Sequence, residues 1–332
     1  YICLTDLFRL GYGVCDRWKS CRGRVGNKPA MTWKHGEVED GEDILRREGG
    51  AVSHVALDVA AEGWDAALGL AFRRDGARTV LARRSSCGPL QVQRPFYPGD
   101  GVCHVYLLHP PGGVVGGDRL EIRAELDIGA QVLLTTPAAG KFYRSAGRTA
   151  AQLQHFTVAE GAALEWLPQE TIVFDGARAR ATTRVELAYG AGFLGWEIVC
   201  LGRPAGGERF TNGVFLQGME VYRQGRPLLH ERSRFDGGGA ILDAPWGLNG
   251  CAVSGTLVCT GGDAAGLAAV REAMGEDGCG EMTGATLLED VLLVRFLGTQ
   301  AERARERFLR VWEALRPRTF GRPAVRPRIW NT

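Results

Sequence analysis

The residues able to hold a metal or move a proton gather around glycine-rich turns. His104 and His109 bracket an apolar run that ends in Pro110-Pro-Gly-Gly, and Gly116-Gly117-Asp118 follows shortly after. Thr135, Thr136, Lys141, Tyr143, Arg144 and Ser145 surround Pro137-Ala-Ala-Gly140. Glu165, Gln169, Glu170 and Asp175 surround Trp166 and Pro168, and Glu197, Cys200 and Glu208 flank Gly202-Arg203-Pro204. Carboxylate, hydroxyl, imidazole and thiolate are the ligand types of a divalent transition metal. Glycine at a turn lets backbone come close to a ligand or to another chain.

Each of these groups also has a structural use. Alternation along a strand puts His104 and His109 on opposite faces, so one metal cannot take both. A hydrogen-bonded structural histidine is the expected fate of either. Asp118 follows two glycines and either holds that turn or offers its carboxylate to a ligand. Glu165 and Glu170 stand on either side of Pro168, a spacing that fixes no geometry. Trp166 and Cys200 fit core packing, and Lys141 and Arg144 fit a solvated surface.

Several familiar motifs fail on inspection. Thr135-Thr-Pro-Ala-Ala-Gly-Lys-Phe lacks the first glycine of a phosphate-binding loop and the hydroxyl residue after its lysine. Gly112-Gly-Val-Val-Gly-Gly has the wrong glycine order for a dinucleotide site and precedes a strand. There is no Gly-x-Ser-x-Gly and no His-Glu-x-x-His. Two other classes stay open as alternatives. A β-rich glycoside hydrolase would use paired carboxylates such as Glu165 and Glu170. A nucleic-acid binder would use the nine arginines between Arg303 and Arg328. The solvated face of a helix and a docking tail explain those arginines better, since no aromatic residues interleave as stacking platforms.

Composition bounds the rest. In 332 residues, 45% are hydrophobic and 23% charged, enough to build a sizeable core without disulfides. A net charge of +2 gives no global pull toward nucleic acid or membrane. The nine cysteines are an odd number with no Cys-x-x-Cys, which predicts reduced thiols in a cytoplasmic protein. No apolar run is long enough to span a membrane. Asp6, Arg9, Asp16 and Arg17 break any signal-peptide pattern. Residues 1–62 mix charge, glycine and scattered aromatics without a period, and are expected to be a poorly ordered extension. Met31 and a non-AUG codon near Val52 both remain open as the start of translation.

From Trp64 onward strand follows strand. Leu120, Ile122, Ala124 and Leu126 alternate with Glu121, Arg123 and Glu125, the pattern of a half-buried strand. Further strands are predicted at 131–135, 153–158, 163–167, 171–174, 182–187, 193–201 and 214–222. Turns at Gly129, Gly161, Asp175-Gly176, Gly190 and Gly202 separate them. No room remains for crossover helices, so a doubly wound fold is excluded and a sandwich, barrel or β-helix is left. Helices are predicted at 263–275 and 300–315, the second with Ala304, Phe308, Val311, Trp312 and Leu315 on one face and Pro317 as its stop. A hairpin through Glu289-Asp290 lies between them. No internal repeat is visible.

Six blocks then stand in a familiar order. They are Arg94-Pro-Phe-Tyr-Pro, Cys103-His-Val-Tyr-Leu-Leu-His-Pro-Pro-Gly-Gly-Val-Val-Gly-Gly-Asp118, Lys141-Phe-Tyr-Arg-Ser145, Glu165-Trp-Leu-Pro-Gln-Glu170, Cys200-Leu-Gly-Arg-Pro204 and Pro327-Arg-Ile-Trp330. Together they resemble the UreD (UreH) family of urease accessory proteins, from Trp64 to the C-terminus. The resemblance implies one domain over 63–332, mainly β, with strands coiled like a β-helix and two helices toward the C-terminus. It implies a non-catalytic maturation factor that joins a UreF-type adaptor and a UreG-type GTPase on the urease apoprotein. Ni²⁺ would pass through as transient cargo, with no permanently bound cofactor. Asp118, Thr136, Glu170 and Asp175 sit in or beside the matching blocks and are the candidate metal-path residues.

Overall fold

The computed structural model describes residues 63–99 and 101–331, so the extension expected at 1–62 lies outside the described residues. The first strand, β1 (Asp65–Asp75), buries Ala66, Leu68, Leu70 and Phe72 and leaves the residues between them more exposed. That period of two makes it one wall of a core. It turns at Gly76, at φ +57°, into the antiparallel β2 (Arg78–Cys87). A short β3 (Gln91–Val92) pairs with β4 (Cys103–Leu108).

The chain then winds. β5 (Arg119–Leu126), β8 (Ala150–Val158), β11 (Arg178–Leu187) and β13 (Val214–Arg223) stack parallel in a first sheet. β4, β6 (Gln131–Thr135), β9 (Ala163–Trp166) and β12 (Gly192–Leu201) stack parallel in a second. β7 (Gly140–Phe142) and β10 (Thr171–Val173) close a narrow third side. Each turn of the coil lays the next strand beside the last, so Arg119, Ala151, Arg180 and Leu216 come into line. This is the β-helix-like coil that the family resemblance implied.

Antiparallel strands complete both sheets. β14 (Arg226–Asp236) folds back on β13 at the edge of the first sheet. β15 (Val253–Thr260), β17 (Val291–Gly298) and β16 (Met282–Leu288) extend the second beyond β12. The hairpin predicted through Glu289-Asp290 joins β16 to β17, with Glu289 at φ 54°.

The second sheet is buried on both faces. On β12, Phe193, Val199 and Leu201 face the first sheet, while Leu194, Trp196, Ile198 and Cys200 face the helices. Among the described residues, besides a one-turn helix α1 (Ala240–Asp243), there are two longer α-helices, α2 (Ala264–Met274) and α3 (Ala301–Phe320). Asp263 caps α2 by accepting the Gly266 N–H at 2.6 Å. Ala304, Phe308, Val311, Trp312 and Leu315 form the buried stripe of α3, as their spacing predicts.

Pro317 does not stop this helix. It lies inside α3, which runs to Phe320 and closes at Gly321 in the left-handed region, φ 64°. The missing N–H costs one backbone bond near the end of the helix. Phe320 packs against the core beyond it, and Arg316 donates from Nη1 to the Pro323 carbonyl, so tertiary contacts carry the last turn.

Candidate functional site

Between the sheets the apolar core is interrupted. The inward positions of β8 carry Gln152 and Gln154, β11 carries Thr183, β13 carries Gln217 and β12 carries Glu197. With Thr136, Gln169, Thr171 and Trp166, most of them line a cavity of about 60 Å³. That is room for about two water molecules, each taking about 30 Å³ in the liquid. The indole N–H of Trp166 is buried and has no acceptor among the described residues, as expected of a donor facing such a space.

Glu197 is the acid among the lining residues. Its carboxylate accepts the Thr183 hydroxyl at 2.5 Å and the Gln217 side-chain N–H at 2.7 Å, both from the opposite sheet. It is half-buried and lines the cavity. It forms no ion pair among the described residues. Burial pushes its carboxyl above the ordinary value, against the pull of those two hydrogen bonds. The sequence placed Glu197 among the ligand-type residues but assigned it no role. The available signal was a lone acid at an inward position in Phe193-Leu-Gly-Trp-Glu-Ile-Val-Cys-Leu201.

The four candidate path residues fall in different places. Thr136 lines the cavity and its hydroxyl accepts the Gln169 N–H at 2.9 Å. Glu170 lies between two lining residues, but its carboxylate turns toward Arg305 on α3, 3.6 Å away. Asp118 is buried and accepts the backbone N–H groups of Trp64 and Val115, each at 3.0 Å. Asp175 accepts the N–H groups of Thr211 at 2.6 Å and Asn212 at 2.8 Å, and the Thr211 hydroxyl at 3.0 Å. Burial alone would raise the Asp175 carboxyl, but the amides of Asn212 and Thr211 outweigh it and hold the group below its ordinary value. Asp118 and Asp175 therefore pin the glycine turns on the narrow side of the coil. Among the described residues no three His, Cys, Asp or Glu side chains come together as a metal cage.

The two alternative chemistries find no geometry. Glu165 is buried on the helix-facing side of β9, gripped by Arg316 Nε at 2.9 and 3.0 Å and by the Trp312 indole N–H at 2.6 Å. An acid so locked cannot pair with Glu170 as a glycosidase would require. The C-terminal arginines are not a free basic stripe. Arg303 pairs with Glu281, Arg305 with Glu170, Arg316 with Glu165 and Arg326 with Glu313.

Residues 65–331 match the family model of the UreD urease accessory protein. The chain belongs to the UreD family. It is 51% identical over 280 residues to the urease accessory protein UreD of Azoarcus sp. strain BH72, covering 83% of this chain and 97% of that one. Against the UreD of Dechloromonas aromatica the figures are 50% over 275 residues, with 81% and 95% covered. Against that of Citrobacter koseri they are 44% over 287 residues, with 86% and 98% covered. The order of the six sequence blocks thus identified the UreD family correctly. No helix among the described residues of this UreD chain is long and apolar enough to cross a membrane.

Proposed function

We propose that this chain serves urease maturation by passing Ni²⁺ through its interior, as the non-catalytic member of a cytoplasmic complex with a UreF-type adaptor, a UreG-type GTPase and the urease apoprotein. The observation that carries this reading is the polar cavity between the sheets, lined by Glu197, which has hydrogen-bond partners but no ion-pair partner among the described residues. A Ni²⁺ ion leaving water needs oxygen ligands and compensating negative charge. Glu197, Thr136 and the glutamine side chains supply both. A conduit must also release its cargo, so scattered weak ligands suit it better than a tight cage.

In this reading Glu197 and Thr136 meet the ion inside, and Glu170 adds charge at the cavity edge. Asp118 and Asp175 belong to the path by holding the turns beside it. Ni²⁺ is cargo, and no cofactor is resident. Co-expression with the urease subunits and remaining accessory proteins, with affinity capture through this chain, tests the assembly. The expected result is recovery of the adaptor and the apoprotein together. A soluble, partner-free chain that captures neither would overturn it.

A further inference from the structure

Down the narrow side of the coil the parallel register fixes which residues line up. Val114 bridges Phe142, Phe142 pairs with Val173, and Val173 pairs with Leu201, all four turned into the core. The residues that follow three of them, Val115, Tyr143 and Phe174, therefore turn outward. Val115 is 48% exposed and Tyr143 37%, and Phe174 is half-buried. The Tyr143 ring lies over Gly113, where any Cβ would run into it. Its centroid is 5.1 Å from that of Phe174, and the Arg203 guanidinium continues the column 5.9 Å from the Phe174 ring.

None of these three outward residues belongs to either core cluster. Tyr143 and Phe174 pack on one another outside both cores, and Val115 and Tyr143 are left as apolar surface open to solvent. Its surroundings are basic. Lys141 and Arg144 stand on either side of Tyr143 and form no ion pair among the described residues. The nearby acids are engaged: Asp118 and Asp175 hold backbone amides, and Glu208 lies 3.7 Å from Arg203.

We propose that Val115, Tyr143 and Phe174, with Lys141, Arg144 and Arg203 beside them, form the docking surface for a partner-protein segment that presents an apolar side chain flanked by carboxylates. The apolar anchor rests on the Tyr143–Phe174 pair, and the carboxylates meet Lys141 and Arg144, while Arg203 keeps Glu208 and extends the ring column. A second copy of this chain does not fit. A two-fold contact through this column would set Arg144 and Lys141 against their own kind.

The test is photo-crosslinking in the full chain, co-expressed with the urease subunits and the other accessory proteins. A benzoyl-phenylalanine replaces Tyr143, and a control carries it in place of Tyr189, which is 72% exposed at the far end of β11. The expected product is a peptide of one different protein, with an apolar residue between Asp or Glu residues. Arg144→Glu should lower its yield by about tenfold while thermal stability holds. Three results would overturn the proposal: no cross-link above the Tyr189 control, a cross-link to a second copy, or a captured peptide without acidic residues. The readout is independent of nickel. A specific acidic cross-link beside normally assembled but unloaded urease would sink the conduit reading and leave this surface standing.

Discussion

Glu197 accepts hydrogen bonds from Thr183 and Gln217 but meets no cation among the described residues, so its charged form is poorly supported. Its folded-state carboxyl is raised above its unfolded value by burial. Over the window between the two values the native chain holds a proton that the unfolded chain has lost. Stability therefore falls as pH rises from the ordinary carboxylate range through the raised folded value. Glu197→Gln removes that titration. Its melting temperature, measured beside the unaltered chain from mildly acidic to mildly alkaline pH, should gain steadily on it as pH rises. Parallel curves would show that Glu197 is ionised at little cost and that the cavity solvates it well. At this scale the sequence was half legible. Thr136, beside a recognisable sequence block, lines the cavity. Glu197 carries no local signal of its place, because its partners Thr183 and Gln217 come from other strands across the gap.

The elements were easier to read. Most strand positions follow from alternation, and the stripe on α3 follows from its spacing. The repeat of the coil was not visible, because the turns between strands differ in length. Asp175 leads almost directly into β11, whereas a long segment from Gly202 to Gly213 precedes β13. Nor could local sequence foresee that α3 would run past Pro317, since Phe320 gains its packing from distant strands. The same helix holds the second sheet through Glu165, Arg316 and Trp312. Arg316→Met should destabilise the chain by about 3–5 kcal/mol, because Glu165 stays buried without that guanidinium. Glu165→Leu combined with Arg316→Met should recover part of the loss, the apolar pair tolerating burial. Trp312→Ala should cost about 3–5 kcal/mol through the cavity it leaves. Urea unfolding of the four chains checks all three. A double variant as unstable as Arg316→Met alone would mean that the ion pair is not the source of the effect.

Among the described residues, the helices cover one sheet and no helix covers the outer face of the other. Exposed pairs such as Arg184–Glu186 and Arg234–Asp236 line that open face and contribute little to stability. The conduit proposal assigns the ion to the interior between the sheets, and Glu197 is the acid that lines it. The direct test is the nickel content of urease matured with Glu197→Ala, at matched amounts of captured accessory complex and matched thermal stability of the chain. A conduit through the cavity predicts nickel loading lower by about tenfold, equal to about 1.4 kcal/mol on the passage. Normal loading by Glu197→Ala in an intact complex would contradict it.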